Sequence, residues 1–326
     1  MTGNLGIKVF VTRRIVGLED YIAQYNLSHA RIDVWEGTMP PPYEELVLRS
    51  RDCDGVLTML TDKIDAAYMD SVPKLKVISQ CAVGVNNIDL KAATELGIPV
   101  GNTPGVLTEA TADIAFALLL SAARHIVPGY EYVKSGKWQT WDPLLLLGQQ
   151  VWGATLGVIG YGRIGKAMAL RGKGFNMRIL ASSRTLTAED AAKDGAELAS
   201  METILREADF VSLHTPLTKQ THHLIGAREL ALMKPTATLI NTARGEIVDP
   251  GALFAALKQG RPGFAALDVT EPEPLPPDHP LLTLPNCVIV PHLGSATIQT
   301  RREMTRLAVA NLAAGLRGAP LMHRAN

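Results

Sequence analysis

The sequence predicts an α/β protein made of two doubly wound parallel-sheet domains. Three observations carry this. Short Val/Ile/Leu runs alternate with helix-like segments along almost the whole chain, as parallel strands covered on both faces require. The runs fall into two sets, separated by Thr103-Pro104-Gly105 and a long apolar helical stretch. One run, Thr155-Leu156-Gly157-Val158-Ile159, ends in Gly160-Tyr161-Gly162-Arg163-Ile164-Gly165, a G-x-G-x-x-G between a strand and a helix.

The first set predicts strands over 8–12, 32–35, 55–60, 76–80 and 100–102, with helices over 43–51 and 66–71. A helix over about 108–124 follows, which Thr108 or Asp113 could cap or charge. The second set predicts strands over 155–159, 178–181, 210–214, 238–241, 264–269 and 287–290, with helices over 166–171 and 250–259. A last helix over 304–316 is expected to return to the first domain. The expected division is 1–104 plus 295–326 as a substrate-binding (catalytic) domain, and 105–294 as a dinucleotide-binding domain. Both are of Rossmann/flavodoxin-like type, with an interdomain cleft between the two crossings.

Composition narrows the function. At 326 residues, about two domains are expected, and 47 % hydrophobic with 20 % charged residues suffices for large cores. Lys plus Arg equals Asp plus Glu at 32 each, so no electrostatic argument points to nucleic acid or an anionic membrane. Cys53, Cys81 and Cys287 share no metal-like spacing and read as reduced packing residues. The stretch Met1-Thr2-Gly3-Asn4-Leu5-Gly6-Ile7-Lys8 lacks a basic segment followed by an apolar one, so a cytoplasmic location is expected. The longest apolar stretch, 114–123, is interrupted by Ser121 and is too short to span a bilayer.

The glycine motif predicts dinucleotide binding. Gly160 permits a tight turn, Gly162 lets backbone approach a pyrophosphate, and Gly165 lets helix pack on strand; the helix N-terminus offers N–H groups to the phosphates. Ligands of open parallel sheets bind beyond the strands' C-terminal ends. Three such ends in the second set carry Arg244, Asp268 leading to Glu273, and His292. Hydride transfer to a 2-oxo acid needs these types: a guanidinium to grip the carboxylate, a histidine to protonate the nascent alkoxide, and a carboxylate to favour the imidazolium. Singly, each has a plainer explanation: Arg244 pairing with a helix end, Glu273 as a solvated loop charge, His292 as a core histidine.

Two loops stand out. The stretch from Ser135 to Trp152 holds Trp138, Trp141 and Trp152, three of the four tryptophans, and Leu144–Leu147, and predicts a subunit interface. The run Glu271-Pro272-Glu273-Pro274-Leu275-Pro276-Pro277-Asp278-His279-Pro280 is stiff enough to hold a side chain at a site. His222 and His223, being adjacent, are expected to point apart; His125 is expected near the long helix's C-terminus, and no metal site is expected.

The second strand of the dinucleotide unit runs into Ser182-Ser183-Arg184-Thr185. An NAD enzyme usually places Asp or Glu here for the ribose 2′-hydroxyl. Ser183 stands in that place and Arg184 could hold a 2′-phosphate, so NADP(H) preference is expected, with NAD(H) possible.

These residues resemble the D-isomer-specific 2-hydroxyacid dehydrogenases, and within them the glyoxylate/hydroxypyruvate reductases. The resemblance spans essentially the whole chain. It is most specific at Val83-Gly84-Val85, Gly160 to Gly165, Asn241-Thr242-Ala243-Arg244-Gly245, Leu267-Asp268-Val269-Thr270-Glu271-Pro272-Glu273-Pro274 and Pro291-His292-Leu293-Gly294-Ser295-Ala296-Thr297. It implies that Arg244, Glu273 and His292 are catalytic, Arg244 binding substrate, His292 donating the proton and Glu273 tuning it. It implies substrate contacts at Val83, Gly84, Ser295, Trp141 and Leu60. It implies cofactor contacts at Thr108, Tyr161, Arg163, Ile164, Ser183, Arg184, Thr185, His214, Thr215, Pro216, Thr221, Thr242, Ala243, Asp268 and Gly294, besides the three glycines, Arg244 and His292. Trp141 within Trp141-Asp142-Pro143 matches a residue reaching the neighbouring subunit, so a homodimer with a dimerisation arm over 125–152 is implied. The activity implied is reduction of glyoxylate to glycolate and hydroxypyruvate to D-glycerate. A reductase for another small D-2-hydroxy acid is the alternative. The similar formate dehydrogenases carry Gln where Glu273 stands; a non-enzymatic dinucleotide sensor like the corepressors that share this fold is the remaining alternative, disfavoured because long partner-recruiting tails are not expected here.

Overall fold

The computed structural model describes residues 6–326, which form two compact units, one running to Leu107 and resumed at Thr297–Asn326, the other spanning Thr108–Ala296. The first begins β1 (Lys8–Val11), α1 (Leu18–Gln24), β2 (Arg31–Val34), α2 (Tyr43–Ser50), β3 (Gly55–Thr58), α3 (Ala66–Asp70), β4 (Val77–Gln80), α4 (Leu90–Glu95), β5 (Val100–Gly101). Its five strands are all parallel, in the order β2-β1-β3-β4-β5. Every residue of β3 and β4 is buried, the reason their sequences are continuous rather than alternating. Asp65 and Asp89 cap α3 and α4, accepting from the N–H groups of Tyr68 and Ala92.

The second unit holds α5 (Thr108–Ala123), α6 (Ile126–Lys134), β6 (Thr155–Ile159), α7 (Arg163–Gly174), β7 (Arg178–Ser182), α8 (Ala188–Lys193), β8 (Glu197–Leu198), α9 (Met201–Glu207), β9 (Phe210–Leu213), α10 (Ala227–Leu232), β10 (Thr238–Asn241), α11 (Pro250–Lys258), β11 (Phe264–Leu267) and β12 (Cys287–Ile289). Seven parallel strands lie in the order β12-β11-β10-β9-β6-β7-β8, so the winding reverses between β6 and β9. Successive strand residues feed opposite cores: Phe210 and Ile240 pack with Phe116, Val158 and Met168, while Val211 and Leu239 pack with Ile204, Leu253 and Leu281. Both faces of the sheet are thus covered.

The chain returns to the first unit through α12 (Ile298–Leu316), which packs on β3, β4 and α1. A side chain at Gly315 would come within 2.4 Å of Val77, so glycine lets the helix approach the strand. The Ser79 hydroxyl donates to the Ala308 carbonyl at 2.7 Å, and Asn311 donates to the Asn102 carbonyl at 2.9 Å.

Two departures from the sequence reading have physical causes. The strand β8 is a two-residue exposed edge with no apolar periodicity to reveal it. The helix α12 starts at Ile298 rather than 304, because Thr297 caps it, accepting from the Thr300 N–H, and its opening turns are polar. Among the described residues no single helix is long and apolar enough to cross a membrane; α5 and α6 together are, but they bend by 62°, and most of α5 is buried core.

Candidate active site

The glycine turn sits where the sheet winding reverses. β6 ends at Ile159, Gly160 takes a φ of +98°, and α7 starts after Gly162. A side chain at Gly160 would meet the His214 and Thr215 backbone at 2.5 and 2.6 Å, and one at Gly165 would meet the Gly160 carbonyl oxygen at 2.2 Å. Above Gly162 the space is open, with nothing within 4 Å, as a phosphate's approach requires. Beside this turn, at the ends of β9 and β10, lie buried polar atoms without partners: His214 Nδ1, Thr215 Oγ1 and Thr242 Oγ1. Tyr161 Oη is a fourth. Buried polar groups normally find partners, so a ligand with donors and acceptors fits here. The His214 Nε2 atom bonds Ser212 Oγ at 2.8 Å, and burial pushes the ring's pKa down to about 4, keeping it neutral.

Three strand ends, of β10, β11 and β12, carry the candidate catalytic set. After β10, Asn241 Oδ1 accepts from the Ala243 N–H at 3.0 Å while its Nδ2 donates to the Arg244 carbonyl at 2.8 Å. This braces Arg244, whose Nη1 donates to the Ala243 carbonyl at 2.7 Å. Burial works against the guanidinium's charge; the Glu273 and Glu246 carboxylates support it. After β12, His292 takes a φ of +53° and donates its N–H to the Asp268 and Val290 carbonyls, each at 3.0 Å. The Asp268 carboxylate accepts from the Leu293 and Gly294 N–H groups, clamping the same turn. Burial raises the Asp268 pKa, and these bonds and His292 only partly oppose it.

The loop after β11 brings Glu273 to His292, with Oε1 2.6 Å from Nδ1. Burial tends to raise the Glu273 carboxyl, but the His292 hydrogen bond and charge outweigh it, with help from the Thr270 N–H and Arg244, and hold it below its ordinary range. Thr270 Oγ1 donates to the Pro272 carbonyl at 2.9 Å, shaping the loop. A side chain at Gly245 would lie 2.0 Å from the Thr270 carbonyl, so glycine lets the Arg244 turn and the Glu273 loop meet. With one nitrogen on Glu273, the other nitrogen of His292 remains to serve as a proton donor.

The structure therefore brings Arg244, Asp268, Glu273, His292, Gly294 and the half-buried Ser295 to neighbouring strand ends of one sheet. Ser183, Arg184 and Thr185 form the turn after β7; Arg184 and Thr185 are exposed. The Thr221 hydroxyl donates to the Pro216 carbonyl at 2.7 Å and accepts from the Thr218 N–H at 2.8 Å, so it shapes the loop after β9. Thr108 is the first residue of α5, and Arg163 and Ile164 open α7. Trp141 is 78 % exposed. In the first unit, Leu60 follows β3, while Val83 and Gly84 follow β4. Their carbonyls accept from Asn102 at 2.9 Å and Gln80 at 3.3 Å; among the described residues neither N–H is engaged.

Sequence reasoning missed two positioning residues, Asn241 and the clamping role of Asp268; only the polar Asn at the end of an apolar strand could have signalled the first. One expectation needs correction. His222 and His223 do not point apart: a φ of +50° at His223 turns the chain so that their rings stack, with centroids 4.0 Å apart.

A doubly wound parallel sheet with this glycine turn at its reversal, and an Arg and a His–Glu pair at adjoining strand ends, defines a nicotinamide-dinucleotide oxidoreductase. The chain belongs to the D-isomer specific 2-hydroxyacid dehydrogenase family, whose NAD binding domain matches residues 116–294. It is 49 % identical over 313 residues to the glyoxylate reductase of Korarchaeum cryptofilum, covering 95 % of this chain and 93 % of that one. Among solved structures it is similar to a Thermus thermophilus protein at 46 % identity and a TM-score of 0.92, covering 98 % of this chain and all of the other. It is also similar to the NADPH-dependent glyoxylate/hydroxypyruvate reductase of Sinorhizobium meliloti, in complex with NADP and malonate, at 29 % identity and a TM-score of 0.86, covering 98 % and 96 %.

Proposed function

We propose that this protein reduces glyoxylate to glycolate and hydroxypyruvate to D-glycerate, preferring NADP(H) over NAD(H), as a homodimer. The His292–Glu273 contact of 2.6 Å is the observation that carries the reading. When bound, the dinucleotide supplies the hydride for the carbonyl carbon. Residues Gly160 to Gly165, His214 to Pro216, Thr242 and Asp268 would hold it, and each Asp268 oxygen keeps an acceptor position beyond its backbone bond. Arg244 grips the substrate carboxylate with its planar fork and polarises the adjacent carbonyl. His292 gives its proton to the carbonyl oxygen as negative charge develops there, and Glu273 favours the imidazolium that can do so. The names of the relatives support glyoxylate as substrate. Steady-state oxidation of NADPH and NADH with glyoxylate, hydroxypyruvate, pyruvate and phenylpyruvate tests it. Highest catalytic efficiency with pyruvate or phenylpyruvate would remove the substrate assignment while leaving the chemistry.

The cofactor preference rests on Ser183 and the exposed Arg184, with no carboxylate from Ser182 to Thr185. A guanidinium–phosphate bond is worth roughly 1.5–3 kcal/mol. Arg184→Ala should therefore weaken NADPH about tenfold to a hundredfold and leave NADH nearly unchanged; equal losses in fluorescence titrations would defeat the argument. The dimer rests on the arm. Trp138, Trp141, Leu144, Leu147 and Trp152 are all exposed, with Tyr130 and Val133 of α6 beside them in sequence, more apolar surface than a lone chain ordinarily shows water. Sedimentation equilibrium should return twice 35.1 kDa, and a monomer at micromolar concentration would rule the dimer out.

A further inference from the structure

A second cluster of ligating side chains lies in the nucleotide-binding unit, and hydride transfer does not use it. His223 Nε2 is 2.7 Å from Glu271 Oε2, and His222 Nε2 is 3.9 Å from Glu271 Oε1. One ligating atom from each residue lies within 4.8 Å of the other two. Neighbouring residues of a loop usually diverge; here both imidazoles face one carboxylate. The backbone enforces this. The His222 N–H donates to the Thr218 carbonyl at 3.0 Å, the His223 N–H donates to the Glu246 carbonyl at 2.7 Å, and His223 holds its left-handed φ. The Glu271 backbone is in turn pressed against Gly245.

We propose that His222, His223 and Glu271 bind a borderline divalent cation, with Zn²⁺ as the type. Two neutral imidazoles and one carboxylate are a three-ligand set for Zn²⁺, leaving a fourth position for water. Zn–N and Zn–O bonds of about 2.1 Å put tetrahedral ligand atoms roughly 3.4 Å apart. The three side chains reach that spacing by small rotations, which their exposure of 51 %, 36 % and 31 % leaves free. Imidazole disfavours Mg²⁺ and Ca²⁺, which take oxygen ligands. A lone His223–Glu271 hydrogen bond accounts for one ring; it does not account for the second ring stacked on it and aimed at the same carboxylate. The ion would hold Glu271 two residues before Glu273, anchoring the base of the loop that supports His292.

The test is calorimetric titration of chelator-treated full-length protein with ZnCl₂, with Co²⁺ absorption as the coordination readout. One equivalent of Zn²⁺ per chain is expected, with a four-coordinate Co²⁺ spectrum. His222→Ala and Glu271→Gln should each weaken binding at least about tenfold, the scale seen when a metal site loses one supporting group. His292→Ala and Cys287→Ser should bind as the parent does. Absence of binding, equal binding by the His222→Ala and Glu271→Gln proteins, or loss in His292→Ala, which would place the ion on the Glu273 pair, overturns the proposal. Circular dichroism of each variant separates lost ligation from lost folding, and the binding readout is independent of whether glyoxylate is the substrate.

Discussion

Replacing His292 with alanine is expected to lower turnover of a 2-oxo acid about a thousandfold while leaving dinucleotide affinity within about twofold, the range a positioned general acid contributes being roughly 10²–10⁴. His292 is held in place three ways: by its backbone N–H on the Asp268 and Val290 carbonyls, by the Asp268 clamp on the backbone of Leu293 and Gly294, and by Glu273 on the ring's Nδ1. Alanine removes the ring and with it Glu273's partner, and leaves the backbone bonds of the turn in place. The pH dependence sharpens the assignment. The Glu273 pKa is held below its ordinary 4.5, so the stability its pairing contributes is fully present above that value and is lost as pH falls below it. A loss of activity near neutral pH therefore cannot be the titration of Glu273. Glu273→Gln keeps the shape and removes the charge beside Nδ1, so turnover should fall while dinucleotide affinity stays near that of the parent. Single-turnover rates check both; either His292→Ala or Glu273→Gln turning over normally would refute the roles given.

The parts of this site that were legible in the sequence are those whose chemistry is local. The Gly160–Gly165 turn announces itself because a strand, a turn and a helix N-terminus follow one another in the chain. Arg244 and His292 were legible as polar residues delivered just past apolar strands, since parallel strands present their C-terminal ends to ligands. What stayed hidden depends on contacts distant in sequence. Asp268 clamps backbone 25 and 26 residues away, and nothing local distinguishes that from a solvated carboxylate. Asn241 is the exception: it braces Arg244 through bonds to residues only two and three positions on, where its place at the end of an apolar strand is the sole hint of the role. The stacked His222–His223 pair needed a positive φ, which a non-glycine sequence does not declare, and a carboxylate 48 residues on from His223.

Arg244→Ala is expected to cost the oxo-acid reaction about 10²–10⁴ in kcat/KM, from two charge-assisted bonds of roughly 1.5–3 kcal/mol each. The guanidinium is partly buried beside Glu273 and Glu246, where water competes poorly for a bound carboxylate. Its backbone is fixed by Asn241 and by the meeting of Gly245 with Thr270, so the turn should survive loss of the side chain. Arg244→Lys separates charge from geometry. Lysine keeps the positive charge but has no planar fork, so it cannot bond both carboxylate oxygens and stay in line with the carbonyl. The lysine protein should recover only part of the loss, chiefly in KM, while dinucleotide affinity in both variants stays near that of the parent. If Arg244→Lys restored full efficiency, Arg244 would act as a mere point charge and not as the carboxylate's bidentate partner. If both variants lost dinucleotide binding instead, the residue would belong to the cofactor's grip and the substrate would have to be held elsewhere.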